Sequence, residues 1–322
     1  DLLNNKLSQF KYWDKVTTSR EQLRKNTHLI AVNSNKNISI KESLILLKEM
    51  RKILSKGILE EKKLGGGIIP SYIINDVSKY EITDKVNHLG YKVVKPLEFT
   101  QRLIPHFLEA SARMAKLGDG FFGEKDYELI YKSGLRDQKL GFYKTCDDIE
   151  EAPFEIGRVH AFTKGWLERE CNFLHMCYKY LLGLLKAGLY ERFYEEMKIN
   201  FVYNMDPYVY GRSPIENSSF IVPTCNPNTR MHGQGQFARL TGANAEILDM
   251  FYIMFLGERA FSFENGVLKF TPSPRLSKEF FDENDEVSYP LFNKCIITIH
   301  NPQRIDLYNH KYYLYEIEGK RY

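Results

Sequence analysis

The prediction of the fold rests on two stretches, Gly157-Arg-Val-His-Ala-Phe-Thr-Lys-Gly-Trp-Leu-Glu-Arg-Glu-Cys-Asn-Phe-Leu-His175 and His232-Gly-Gln-Gly-Gln-Phe-Ala-Arg-Leu-Thr-Gly-Ala-Asn-Ala-Glu246. Each places polar groups at the start of an otherwise apolar helix. The first turn of a helix carries N–H groups without an intrahelical partner and a partial positive charge, which suits an anion. If the fold brings the two helix starts together, they form one phosphate pocket beside a sugar site.

Apolar residues at helical spacing follow both stretches. A helix over about 166–186 shows Phe173, Cys177, Tyr180 and Leu184 on one face and ends near Gly188. The second helix has Ala245, Leu248, Tyr252 and Phe255 on one face, is apolar all round and ends at Gly257. A helix that is apolar on every side is expected to be buried on every side. We therefore expect both helices in the inner layer of a double-layered helical toroid.

Most of the remaining chain before residue 258 is also predicted to be helical. Further helices are expected over 98–117, 124–145 and 189–203, and one with Leu47, Met50, Leu54 and Ile58 on a face that ends at Gly65-Gly-Gly67. Short strands are expected at 68–74 and 91–94.

The spacing of apolar residues changes from a helical to a strand pattern near residue 258. Phe261-Ser-Phe263, Asn265-Gly266 and Val267–Phe270 predict a hairpin, and strands are expected at 295–299 and 312–317. We predict a mainly α protein. It would hold a helical (α/α) barrel portion over 1–258, with a short β excursion near 68–95, and a small antiparallel β-domain over 259–322.

Composition narrows the classes of function. The net charge is only +4 at pH 7, and no basic run is interleaved with aromatics, so nucleic-acid binding is not expected. No apolar run is long enough to span a membrane. The five cysteines are widely spaced and form no zinc pattern, so we expect reduced thiols in a cytoplasmic protein and no metal.

His175 and Glu168 are candidate ligand-binding residues in the first stretch. An imidazole can donate to a phosphate oxygen, although a buried histidine satisfied by a neighbour is the simpler interpretation of His175 alone. Glu168 lies seven residues earlier, which on a helix is two turns along the same face. This spacing would let Glu168 contact a sugar hydroxyl while His175 meets its anomeric end; a surface glutamate is the alternative.

Thr241-Gly242 opens the second helix. A Thr hydroxyl with free N–H groups is a competent phosphate cradle, and Gly242 leaves room for a ligand at the backbone. Thr is also a good N-cap, which is a structural role by itself. The glycine pattern lacks the Lys of a P-loop and does not follow a strand, so nucleotide binding is rejected.

A polar, aromatic loop over 206–219 lies between two predicted helices. Its Tyr210, Arg212, Glu216 and Asn217 are candidate sugar or phosphate contacts, because such loops often carry ligand contacts. An ordered connector in which Arg212 pairs with Glu216 is the alternative, and the sequence does not separate the two.

A family resemblance joins these residues. Gly157–His175 resembles the segment of cellobiose- and cellodextrin-phosphorylase-like enzymes with Gly-Arg, an aromatic, Gly, Glu-Asn-Gly and then His. Phe237–Gly242 resembles their Ser-Trp-Leu-Thr-Gly-Thr-Ala motif. The resemblance extends over about 154–260, with weaker similarity to 305.

The resemblance implies an inverting glycoside phosphorylase whose α/α toroid is flanked by β-domains. It implies that His175, Thr241 and Gly242 bind inorganic phosphate, that Glu168 contacts the sugar, and that neither metal nor organic cofactor is needed. Phosphate would attack the anomeric carbon while a carboxylic acid protonates the leaving oxygen. Such relatives are often dimers.

This sequence departs from the family pattern in three places. Arg169 stands where the family has Asn, and Ala238-Arg239 replaces its Trp. The Asp-Trp-Asn-Asp acid motif is absent, and its nearest trace is Tyr12-Trp13-Asp14, which makes Asp14 the candidate general acid. Asp14 is otherwise a helix residue beside a core Trp.

The family's phosphate-clamping Arg lies further upstream, and the chain has fewer predicted helices than a closed toroid. We therefore expect 1–322 to be the later part of a longer enzyme that needs the upstream half of the barrel. The expected activity is phosphorolysis of a β-linked oligosaccharide to a sugar 1-phosphate. An inverting hydrolase on the same scaffold and a non-catalytic carbohydrate-binding relative are the alternatives.

Overall fold

The computed structural model describes residues 9–29, 37–118, 120–237 and 241–309. The chain divides into two compact units, Asp1–His106 and Phe107–Tyr322. Each unit has its own helices and antiparallel strands.

The first unit holds two helices followed by a long two-stranded hairpin. Its elements are α1 (Gln9–Leu29), α2 (Ile40–Leu64), β1 (Ile73–Val86) and β2 (Lys92–Leu103). Ser39 caps α2 through a reciprocal capping box with Glu42, and the helix ends at Gly65 as predicted. The ring of Trp13 on α1 packs edge-on against that of Phe99 on β2, with centroids 5.4 Å apart.

The hairpin corrects two predictions. Residues 98–103 belong to strand β2 and are not helical, because they pair with β1 from Ile73↔Leu103 onward. The predicted strand at 68–74 begins only at Ile73, and Ile68 and Ile69 are buried outside any strand. The helix predicted over 98–117 was wrong for its first part, because cross-strand pairing cannot be read from the local spacing of apolar residues.

The second unit contains six α-helices among the residues described. They are α3 (Leu108–Lys116), α4 (Glu124–Lys132), α5 (Leu174–Lys186), α6 (Tyr190–Asn200), the single turn α7 (Pro207–Tyr210) and α8 (Thr241–Leu256). The described strands are β3 (Asn172–Phe173), β4 (Phe220–Ile221), β5 (Gly235–Gln236), β6 (Phe261–Glu264), β7 (Val267–Phe270), β8 (Glu286–Leu291) and β9 (Cys295–His300).

Helix α5 is the centre of the second unit. It contacts α3, α6 and α8, and its residues Cys177, Tyr180 and Leu184 are fully buried, as predicted. Gly183 lets α3 approach closely, since an ideal Cβ at this position would lie 2.6 Å from Cβ of Ala115. The apolar run of 177–185 is therefore explained by neighbours on several sides.

Three helix predictions need correction in this unit. The helix predicted over 124–145 ends at Lys132, and turns and bridges follow it. The helix predicted from about 166 begins only at Leu174, because the preceding residues form β3 and a turn. Helix α8 is not buried on every side: Leu248 is 70% exposed, so the face predicted through Leu248 is largely open in this structure.

The strands after α8 follow the prediction where they are described. β6 and β7 form the hairpin with Asn265-Gly266 at its turn, and β9 covers the predicted strand at 295–299. The strand predicted at 312–317 lies outside the described residues. The change from helical to strand spacing near residue 258 falls inside the second unit. There the N–H groups of Ser273 and Arg275 donate hydrogen bonds to carbonyls in the last turn of α8.

The described part of the chain is thus mainly helical with small antiparallel sheets. The toroid remains a prediction.

Candidate functional site

His175 lies in the first turn of α5. Strand β3 pairs with β4, and the N–H of Leu174 donates to the carbonyl of Ser219 at 3.0 Å, which fixes where the helix begins. The sequence predicted His175 in mid-helix. Because His175 lies at a helix start, the positive end of the helix dipole is beside its imidazole.

The start of α8 lies directly against the His175 ring. An ideal Cβ at Gly242 would lie 2.5 Å from Cε1 and 2.6 Å from Nδ1 of His175. Only glycine fits this contact without displacing the imidazole. The structure therefore brings His175 and Gly242 together, as the sequence predicted, and places two helix N-termini side by side. The space beside Gly242 that was expected to stay open for a ligand is filled by the imidazole.

Thr241 is the first residue of α8 and is exposed. Residues 238–240, including the departures Ala238 and Arg239, lie outside the described residues. Both roles predicted for Thr241, as a cap and as a ligand contact, stay predictions.

Two residues at this junction were not assigned by the sequence. Oε1 of Glu246 on α8 lies 3.5 Å from Nε2 of His175. Oε2 of Glu246 accepts a hydrogen bond from Nζ of Lys116 on α3 at 2.9 Å. Glu246 follows Gly242 by four residues, so the i,i+4 spacing on one helix face was a usable signal. Lys116 belongs to a distant part of the chain, and no local pattern links it to this site.

Burial is the main influence on the protonation of His175. It lowers the pKa of the imidazole below its usual value, and the nearby Lys179 lowers it further. Glu246 acts in the opposite direction and raises it. The ring therefore favours the neutral form more strongly than a free imidazole does.

The predicted sugar contacts line an open cavity of about 590 Å³. Its lining residues are Tyr210, Gly211, Arg212, Glu216, Gln234, Gly235 and Gln236. A cavity of this size is within the range of small-molecule sites. The structure thus brings together Tyr210, Arg212 and Glu216, three of the four candidate contacts in the loop over 206–219, although the Tyr210 side chain is only 1% exposed.

The cavity wall is held by its own hydrogen bonds. The Tyr210 hydroxyl donates to the carbonyl of Glu216 at 2.7 Å and accepts from the N–H of Ser218 at 2.8 Å. Arg212 pairs with Glu216 at 2.7 Å, which is the pairing expected of an ordered connector, and also donates to the carbonyl of Gly235. The pairing neutralises both charges at the wall, while Gln234 and Gln236 add neutral polar groups.

Two connections tie this wall to the helix starts. Strand β4 pairs with β3 on one side and with β5 on the other, so that β5 at the cavity lies two strands from the residues that lead into His175. Asn217 donates to Asn244 of α8 at 2.6 Å and accepts from the Tyr178 hydroxyl of α5. The loop over 206–219 is therefore hydrogen-bonded to the first turn of α8 and to the second turn of α5.

An aromatic cluster covers this three-stranded sheet. Phe173 stacks on Phe220 with ring centroids 5.0 Å apart, and Phe237 contacts both Phe220 and Trp166. Phe173 also meets the His175 ring edge-on. The sequence did not indicate this cluster, because its members come from four separate segments.

Glu168 does not share a helix face with His175. It lies in a turn before β3, where Leu167 and Glu170 have positive φ angles, and its carboxylate pairs with Arg158 at 2.6 Å on the surface. The prediction of two helical turns between Glu168 and His175 is wrong, since the helix starts at Leu174. A sugar-contacting role for Glu168 stays a prediction.

Arg169 has a structural explanation for its departure from the family pattern. Its guanidinium is mostly buried and donates to the carbonyls of His160 and Phe162, besides pairing with Glu150. The neighbouring Glu170 is buried, and burial raises the pKa of its carboxyl. The Arg169 hydrogen bonds stabilise the turn that precedes β3.

Asp14 is exposed on α1 and belongs to the first unit, whereas the other candidate residues belong to the second. Its role as a general acid stays a prediction. No described group of three or more His, Cys, Asp or Glu side chains is arranged to hold a metal ion.

The chain matches no protein-family model, and no curated protein matches it significantly in sequence. Among the described residues, none of the helices is both long and apolar enough to cross a bilayer.

Proposed function

We propose that the second unit binds inorganic phosphate at the starts of α5 and α8 and acts as an inverting glycoside phosphorylase on a β-linked oligosaccharide. The observation that carries the proposal is the contact between the His175 imidazole and Gly242, where two helix N-termini meet. Two positive helix ends and an imidazole form an oxyanion receptor. Thr241 adds a hydroxyl at the same place.

The cavity beside the helix starts supports a sugar substrate. The Arg212–Glu216 pair and the two glutamines offer donors and acceptors without a net charge. Such a lining suits a neutral, hydroxyl-rich molecule better than an ion. Asn217, which directly follows Glu216 of the cavity wall, donates to Asn244 in the first turn of α8, so the cavity wall and the start of α8 are linked by a hydrogen bond.

The reaction follows from this arrangement and from the family resemblance. A phosphate oxygen forms a bond to the anomeric carbon as the glycosidic bond to the leaving oxygen breaks. The leaving oxygen takes its proton from a carboxylic acid. Phosphate takes the place of the water and general base of an inverting hydrolase, and the product is a sugar 1-phosphate.

The proposal also covers the cellular compartment and the oligomeric state. The five cysteines are free thiols, which is typical of a cytoplasmic protein. The family resemblance adds a homodimer.

Product analysis tests the proposal. The protein is incubated with β-linked oligosaccharides with and without inorganic phosphate, and sugar 1-phosphate and free sugar are measured. We expect sugar 1-phosphate only when phosphate is present. Free sugar regardless of phosphate would indicate a hydrolase, and oligosaccharide binding without either product would indicate a non-catalytic relative; both contradict the proposal.

Two variants connect the products to the site. His175→Ala removes the imidazole and should lower phosphate use at least about tenfold, the expected scale for a hydrogen bond to a charged group. Thr241→Ala should act in the same direction. His88→Ala removes an exposed imidazole from the turn of the first unit's hairpin and should change nothing.

A further inference from the structure

We propose that Glu246 is a positioning residue for His175, which holds the imidazole against the start of α8, and that Lys116 holds Glu246 in place. This inference rests on the proposed function, since it assigns a role at the same phosphate site. The three side chains come from α8, α5 and α3, so the arrangement exists only in the folded second unit.

Each oxygen of the Glu246 carboxylate has a different partner. Oε1 lies 3.5 Å from His175 Nε2, and Oε2 lies 2.9 Å from Lys116 Nζ. The Glu246 side chain is only 11% exposed. A carboxylate fixed at both oxygens in a buried setting cannot rotate freely, and so it can orient the imidazole.

The contacts of the ring fix its orientation. Nε2 faces Oε1 of Glu246 at 3.5 Å, and Nδ1 and Cε1 lie against the backbone of Gly242, where an ideal Cβ would be 2.6 and 2.5 Å away. A neutral imidazole has one donor and one acceptor nitrogen, whereas the imidazolium has two donors and a positive charge. A phosphate oxygen accepts hydrogen bonds, so Glu246 favours the form of His175 that suits an anion.

The charges around His175 explain why such a residue is needed. Lys179 on α5 and Lys116 on α3 both disfavour the imidazolium, as does burial, and Glu246 on α8 is the group that favours it. Lys116 in turn neutralises Glu246, which would otherwise repel the phosphate. The trio thus supports a protonated imidazole without placing an unpaired carboxylate beside the anion.

The test follows the His175 imidazole by NMR in the complete chain, with inorganic phosphate as the probe, over about pH 5.5 to 8. E246Q keeps the shape of the side chain but removes its charge. We expect a lower titration midpoint for His175 and about tenfold weaker phosphate binding near pH 7, with less loss at lower pH. E246D, which restores the charge, should recover part of both.

The matched control is D249N, which removes one negative charge from the same helix. Asp249 is exposed and lies 3.8 Å from Lys186, away from the His175 contact, so this variant should keep the titration and the phosphate affinity of the unchanged chain.

K116Q removes a positive charge instead of a negative one, so the expected shift of the His175 titration midpoint has the opposite sign. Loss of this cation should raise the His175 midpoint, because the Glu246 carboxylate is then no longer shared, while phosphate binding weakens. A purely structural role would not give opposite shifts in the two variants. This variant also keeps the proposal testable if E246Q does not fold.

The outcomes separate this inference from the proposed function. If the unchanged chain does not bind phosphate, both fail. If it binds phosphate but E246Q or K116Q leaves the His175 midpoint and the affinity as they were, the positioning role fails and the phosphate site stands.

Discussion

At position 242 the backbone of α8 lies against the His175 imidazole. A Cβ there would be 2.5 to 2.8 Å from three ring atoms, so any side chain must displace the ring. The imidazole cannot move without losing its place beside Glu246. The absence of a side chain at this residue is therefore a requirement of the site and not of the helix.

Gly242→Ala should weaken phosphate binding at least about tenfold, since the displaced imidazole loses a charge-assisted hydrogen bond to the anion. Binding is measured by calorimetric titration with inorganic phosphate. The control is Gly57→Ala on α2, where a Cβ meets nothing within 4 Å. That variant should keep phosphate binding and stabilise its helix by about 0.5–1 kcal/mol. Equal phosphate affinity in Gly242→Ala would show that the ring contact is unimportant.

The lowered pKa of His175 predicts how stability depends on pH. In the folded state the group binds a proton less readily than in the unfolded chain, so acid favours unfolding. The contribution of His175 to the free energy of unfolding is fully present above the ordinary histidine pKa. It is lost as the pH falls through the lowered pKa of the folded state.

Urea unfolding of the chain and of His175→Gln should therefore differ in pH dependence between about pH 7 and 5. The unchanged chain should lose more stability over this range than the variant. Saturating phosphate should reduce the difference, because the anion favours the imidazolium. A variant that loses stability as steeply as the unchanged chain would contradict the lowered pKa.

Several of these residues were visible in the sequence. His175, Thr241 and Gly242 were predicted from polar groups at the starts of apolar helices, and the structure brings His175 and Gly242 into contact. Lys116 was not predictable, because it lies 130 residues from Glu246 and only tertiary packing joins them. Glu168 was misplaced for a local reason: positive φ angles at Leu167 and Glu170 turn the chain before the helix begins.

Helix α5 positions the site because its first turn and its body have different neighbours. The first turn follows strand β3 and meets α8, whereas the body packs closely against α3 at Gly183. The apolar spacing of 173–184 predicted the helix and its burial. The start at Leu174 escaped prediction because the pairing of β3 with β4 is non-local.

Gly183→Ala tests the close approach of α3 and α5. Alanine is the better helix former, yet here its Cβ would lie 2.6 Å from that of Ala115 and 3.3 Å from the carbonyl oxygen of Ala112. We expect a loss of about 1–3 kcal/mol in the free energy of unfolding, measured with urea.

The double variant with Ala115→Gly should recover part of this loss, because it removes one of the clashing methyl groups. A coupling energy above about 0.5 kcal/mol would agree with direct contact, and strict additivity of the two changes would contradict it. The carbonyl of Ala112 keeps the recovery incomplete.

For the whole molecule, the sequence predicted mainly helices, with a hairpin after residue 258, and the described residues agree. The change from helical to strand period is a local signal and was easy to detect. The division at residues 106 and 107 had no such signal, since no composition change or glycine-rich linker accompanies it. Compact units depend on which segments touch, and spacing along the chain does not record this.

The central claim is that the starts of α5 and α8 together bind an oxyanion. Crystals of the protein soaked with arsenate, a phosphate analogue with a strong anomalous signal, test it most directly. We expect an anomalous peak within hydrogen-bonding range of the His175 imidazole and the first turn of α8, about 3 Å from donor to anion oxygen. The peak should be absent in crystals of His175→Ala. Crystals in which arsenate binds elsewhere, or occupies this place equally well without the imidazole, would contradict the account.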